Sequence, residues 1–157
     1  MEKQVYDGLF LRLKNGLYIL ATDMPREEEI ANKLYFPSYI SFEYALAYYN
    51  RLPEMPQYIT SATTKPTRSF ATSSRSYAYY TIKKEAYTGY LLVEKNNRRF
   101  LIADPEKTYV DYLYYVTLGK RIYNDRFYIE DLSKAKVFSY ARLYQRESLI
   151  KLIKQKL

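Results

Sequence analysis

Cysteine and histidine are absent from all 157 residues, and so is tryptophan. Without a thiol or an imidazole there is no cysteine nucleophile, no serine-histidine triad and no member of the commonest transition-metal ligand sets. Most small-hydrolase and metalloenzyme readings fall with them. A disulfide framework is excluded too, but a chain of this length buries roughly two-thirds of its unfolded surface and folds without one. Long apolar runs are also missing: "MEKQVYDGLFLRLKNGLYIL" interrupts every hydrophobic stretch with charge and matches neither a signal peptide nor a membrane span. The expectation is a cytoplasmic protein with no membrane partner. With no Gly-rich phosphate loop, no cofactor and no metal are expected either.

What is abundant is tyrosine, 21 residues of it, and positive charge, a formal net of +8. So many tyrosines place hydroxyls in the core that need a partner or a route to water. The charge is uneven: Lys65 to Arg99 carries eight basic and two acidic residues and Ser133 to Leu157 seven and one, leaving the remainder net negative by four. Two basic regions point to an anionic partner, of which nucleic acid is the usual one; a merely solvated surface gives the same composition.

Leu9, Leu11 and Leu13 alternate before Asn15-Gly16, and apolar residues resume from Leu17 to Leu20, the pattern of a β-hairpin. Thr22 or Asp23 is placed to cap a helix over 25–35, with Pro25 in its first turn and three glutamates at the positive end of its dipole. Pro37 ends that helix, and Ser41 is read as the cap of a second one over 42–50 rather than as a nucleophile, since no histidine is there to activate it. "YITSATT", "SFATSSRSYAYYTI" and "TGYLLVEKNNRRFLIA" read as four to five strands turning at Lys65-Pro66, Ser73-Ser74 and Asn96-Asn97. Asp104 caps a helix of about thirteen residues opened by Pro105. From Tyr128 onward the pattern is helical with breaks near Ser133 and over 140–145, ending in an amphipathic basic helix whose Leu149, Ile150, Ile153 and Leu157 share a face. The fold class expected is α+β: an antiparallel sheet meander flanked by helices, with an N-terminal β-hairpin.

Several segments in series resemble the AbiEi-type antitoxins and transcriptional regulators of bacterial type IV toxin-antitoxin (phage-defence) systems. They are "GLYIL", "EIANKLYFPSYISFEYALAYYN", "ITSATTKPTR", "YAYYTIKKEAYTGY" and "IADPEKTYVDYLYY", spread from about Gly8 to Tyr115. The resemblance implies a winged helix-turn-helix that reads operator DNA, followed by an antitoxin domain, with a nucleotidyltransferase-like toxin as functional partner. Here only about eight residues precede the segment that resembles the wing. Residues 1–22 are therefore read as a hairpin remnant of the winged helix and 23–157 as the antitoxin domain. The chain is either a fragment or a natural antitoxin domain without its DNA reader.

Two sets of residues carry candidate chemistry. Lys65, Arg68, Lys83, Lys84, Arg98 and Arg99 interleave with aromatics in the strands, and Arg142, Arg146, Lys151, Lys154 and Lys156 lie in the terminal helices. Both groups are expected to contact DNA phosphates weakly and without sequence preference, although alternation in a half-buried sheet produces the same pattern. Asp104, Glu106, Lys107 and Asp111 fall within two turns of one helix, where carboxylates and a lysine suit metal-assisted phosphate chemistry. Capping accounts for the same residues, so the expectation is a non-enzymatic antitoxin, the alternative being an enzyme that modifies a toxin or a nucleic acid through that cluster.

Overall fold

The structure is a computed structural model that describes residues 10–20 and 25–157. The first strands, β1 (Phe10–Lys14) and β2 (Leu17–Leu20), form the expected antiparallel hairpin, with Phe10 opposite Leu20 and Gly16 at φ +78° in the turn. That left-handed conformation is free for glycine and costly for other residues. The expected caps Thr22 and Asp23 lie outside the described residues. Helix α1 (Glu27–Leu34) begins two residues later than expected, so Pro25 precedes it, but Glu27, Glu28 and Glu29 occupy its first turn as the dipole favours.

A six-stranded sheet follows. Its strands are β3 (Ser38–Ile40), β4 (Tyr58–Thr63), β5 (Arg68–Ala71), β6 (Ser76–Thr81), β7 (Tyr90–Lys95) and β8 (Arg98–Ala103), in the order β5-β6-β4-β3-β8-β7. Between them run α2 (Phe42–Tyr48), after β3, and a short 3-10 turn at Lys84–Ala86. The α+β class and the helix-flanked sheet are as expected. The sheet is not a simple meander, however: β4 pairs parallel with β6, and β3 parallel with β8, while the other three neighbours are antiparallel. Residues 38–40, between the Pro37 expected to end one helix and the Ser41 expected to cap the next, supply the central strand that joins the two halves.

Alternation along the strands sorts side chains into two cores. Ile40, Ile59, Tyr77, Tyr79, Phe100 and Ile102 pack on one face with Ile30, Ala31 and Leu34 of α1. The other face, including Tyr39, Ala62 and Ala103, packs under α3 (Pro105–Thr117), α4 (Lys134–Leu143) and α5 (Glu147–Lys156). Residues 128–133, expected to be helical, form a loop held by tertiary contacts: the Tyr128 amide donates to the Arg51 carbonyl at 3.0 Å, and Arg51 pairs with Asp131.

Tyrosine hydroxyls find partners as their burial requires. Tyr79 donates to the Ala31 carbonyl beneath α1, Tyr49 to the Ala103 carbonyl at 2.8 Å and Tyr115 to the Thr81 carbonyl at 2.7 Å, so rings fill the core while each tip ties one layer to the next.

Candidate nucleic-acid interface

The acidic cluster of α3 divides into two sites with different surroundings. At the helix start Asp104 is the expected cap, its Oδ1 accepting the Lys107 amide at 2.8 Å. Its Oδ2 accepts the Tyr140 hydroxyl at 2.5 Å and faces Lys136 Nζ at 2.9 Å, which binds α4 across the helix terminus. Glu106 accepts the Ser133 amide at 3.1 Å and pairs with the same lysine at 3.3 Å.

One turn further, Lys107 and Asp111 form an ion pair with both side chains fully buried. Asp111 Oδ1 also accepts Tyr144 at 2.5 Å, while Oδ2 accepts Tyr39 at 2.9 Å and Ser41 at 2.7 Å. Lys107 Nζ donates to the Tyr39 oxygen at 3.0 Å and lies 5.1 Å from the centre of the Tyr144 ring. Burial pulls the lysine's pKa down while Asp111 holds it up, and burial followed by the Asp111 charge raises Tyr39 and Tyr144 well above the usual phenol range. The carboxylate is thus met by four donors inside the core. Gly89 closes this region from the β6–β7 connection: at φ +77° its missing Cβ would stand 2.8 Å from both Lys107 Cγ and Tyr140 Cε1.

Ser41 occupies the N-cap position of α2, but its hydroxyl does not cap, because it points inward to Asp111. The capping bond comes instead from β4, where Thr60 Oγ1 accepts the Tyr44 amide at 3.0 Å and donates to the Ser41 carbonyl at 2.6 Å. Phe42, buried at the first helical position, is held at φ +58°, an uncommon conformation for a bulky residue.

The basic residues separate into four places. Lys65 and Arg68 lie at the β5 edge, where the N-terminal hairpin docks and leaves a polar cleft of about 580 Å³ lined by Arg12, Leu13, Lys14, Asn15, Arg68 and Phe70. Arg68 sits 4.5 Å from the centre of the Phe70 ring and Lys14 Nζ 5.3 Å from it; Lys65 Nζ is 4.5 Å from the Tyr35 ring. Among the described residues no carboxylate pairs with Arg12, Lys14, Lys65 or Arg68. At the far edge of the sheet, Arg98 faces Glu29 at 3.7 Å and Arg99 faces Glu94 at 3.4 Å.

Near the α4–α5 turn the two basic regions of the sequence meet, since Lys83 donates to the Tyr144 carbonyl at 2.6 Å and Arg146 to the Thr117 hydroxyl and carbonyl at 2.9 Å each. Both cations are tied to structural acceptors there; Lys84 and Arg142 nearby are exposed. On α5, Lys151 pairs with Glu147 and Lys156 with Asp125, each at 3.5 Å, and Lys154 is exposed without an ion pair among the described residues.

The structure therefore brings Lys65 and Arg68 together with Arg12 and Lys14, which sequence reasoning did not select, and keeps them apart from Arg98 and Arg99. Nothing in the local pattern of the hairpin signalled that it would dock against β5. No protein-family model matches the chain, and no curated protein matches it.

Proposed function

We propose that this chain is a non-enzymatic antitoxin and regulatory domain of the AbiEi type, cytoplasmic, that contacts DNA electrostatically and has a nucleotidyltransferase-like toxin as its functional partner. The family part of the reading rests on the five sequence segments in series. The DNA part rests on one observation: Arg12 and Arg68 line a cleft, with Lys65 exposed on the segment leading into β5, and among the described residues no carboxylate pairs with them, whereas most other basic residues named above are engaged by acidic groups or carbonyls. Unpaired cations at an open surface are the ones that release counterions from a phosphate backbone. None of the described helices is long and apolar enough to cross a membrane.

The alternative, an enzyme acting through Asp104, Glu106, Lys107 and Asp111, draws no support from the geometry. Lys107 and Asp111 are enclosed, and Asp104 and Glu106 already hold the α3–α4 junction.

The test is a titration of operator and scrambled duplexes at 50 and 200 mM salt. Similar affinity for both duplexes, falling steeply with salt, is expected, and Arg12→Gln, Lys65→Gln, Arg68→Gln in one chain flattens the salt slope by about three. No binding at low salt overturns the DNA part. Failure of a folded chain to protect cells from any nucleotidyltransferase-like toxin encoded in the same operon, or the lack of such a gene, overturns the antitoxin part.

A further inference from the structure

Phe36 is 74% exposed, in a chain whose other phenylalanines and tyrosines mostly pack or stack. A single exposed hydrophobic residue is ordinary on a protein surface. Its setting here is not. The residues on either side are fastened to the end of β4 and to the segment joining it to β5: the Pro37 carbonyl accepts the Thr63 hydroxyl at 2.8 Å, and Tyr35 donates its hydroxyl to the Pro66 carbonyl at 3.0 Å. That connection carries Lys65, whose ammonium lies over the Tyr35 ring, and leads into Arg68, whose guanidinium is 5.9 Å from that ring and 4.5 Å from Phe70. The exposed phenyl is thus carried by a segment fastened near Lys65 and Arg68, which among the described residues pair with no carboxylate, and Arg68 shares the cleft with Arg12 and Lys14.

We propose that this corner is a binding site for a single-stranded polynucleotide, with one base stacked on Phe36 and the adjoining phosphates against Lys65, Arg68 and Arg12. The inference rests on the reading of the basic cleft as a nucleic-acid contact, and narrows it. Duplex DNA keeps its bases paired and stacked, so an exposed phenylalanine gains nothing from its backbone. A single strand offers base faces and closely spaced phosphates together, which is the combination that aromatic-basic grooves hold without sequence preference. Tyr35 and Phe70 have cations over their rings and serve to position Lys65 and Arg68; Phe36 is the ring left open to a base.

The absence of tryptophan supplies the experiment. Phe36→Trp introduces one indole at the proposed stacking position, and its fluorescence is followed on addition of dT12, U12 and a 12-base-pair duplex at 50 mM salt, alongside anisotropy of the labelled oligonucleotides with the unmodified chain and with Phe36→Ala. The expected result is quenching by the single strands and little change with duplex, with Phe36→Ala weakening single-strand binding about tenfold and leaving duplex binding unchanged. A preference between dT12 and U12 assigns the strand to DNA or RNA; equal binding assigns recognition to features both share. Phe36 lies outside both cores, and the near-ultraviolet circular dichroism of each variant checks that the fold is kept. Single-strand binding that Phe36→Ala does not weaken overturns the stacking site, and binding of duplex alone overturns the single-strand proposal while the basic-surface reading stands. Binding of neither ligand removes both.

Discussion

The Ser41 hydroxyl donates to Asp111 Oδ2 at 2.7 Å, joining the start of α2 to the middle of α3 across 70 residues of sequence. The contact gives a serine at a helix N-terminus a role in the core rather than in capping or catalysis. It also completes the set of donors, with Tyr39, Tyr144 and Lys107, that satisfies the two oxygens of a carboxyl group enclosed away from water.

Asp111→Ala leaves Lys107 buried without its counter-charge, and a loss of about 3–5 kcal/mol is expected, as for other buried pairs broken from one side. Replacing both partners, Lys107→Met with Asp111→Leu, restores a large part of it. Urea denaturation followed by far-ultraviolet circular dichroism measures both; a double variant no more stable than Asp111→Ala contradicts this account of the pair.

Asp104→Ala removes the α3 cap and, with it, the acceptor for Tyr140 and the partner of Lys136. The cap alone is worth about 1 kcal/mol, and the Tyr140 bond adds about 1 more. A fall in Tm of about 4–8 °C is expected and, on the proposed antitoxin reading, toxin neutralisation stays intact at permissive temperature. A folded Asp104→Ala chain that no longer protects cells contradicts the structural role given to this carboxylate.

Tyrosine burial sets the alkaline limit of the fold. Burial, then neighbouring carboxylates or the Asp104 hydrogen bond, pushes Tyr77, Tyr112 and Tyr140 each up to about 12. In the unfolded chain a phenol titrates near 10, so between about pH 10 and 12 the folded state holds the proton that the unfolded state releases. Stability from these groups is fully present below pH 10 and falls as pH rises through 12. Urea midpoints at pH 8, 10 and 11 test the sign, and a midpoint that does not fall between pH 10 and 11 contradicts it.

On the proposed DNA contact, the terminal helix is expected to contribute less than its lysine content suggests, because Lys151 and Lys156 already face Glu147 and Asp125. Lys151→Gln, Lys154→Gln and Lys156→Gln together are expected to weaken duplex binding less than the Arg12, Lys65 and Arg68 triple variant does. Equal losses, measured by anisotropy at one salt concentration, would move the interface toward α5.

Much of the local structure was legible in the chain itself. Asn15-Gly16 and Asn96-Asn97 announced hairpins because residues tolerant of positive φ are needed there, and Asp104-Pro105 announced a helix start because cap and first-turn geometry are set by neighbouring residues. Loss of cysteine and histidine excluded chemistries by composition alone. Strand order was beyond such signals: that β6 enters between β5 and β4, and that β3 bridges β4 and β8, depends on which faces pack best over long sequence separations. For the same reason Ser41 was read as a cap, since a competing acceptor on α3 is invisible to local spacing, and the partners of Lys107 were hidden. The cleft belongs to the same class. Arg12 and Lys14 carry no more signal than any other basic residues on a hairpin until that hairpin docks on β5 and sets them beside Arg68 and Phe70. Period and turn chemistry act over a few bonds, whereas a site assembled from separate elements exists only once the apolar faces have chosen their partners.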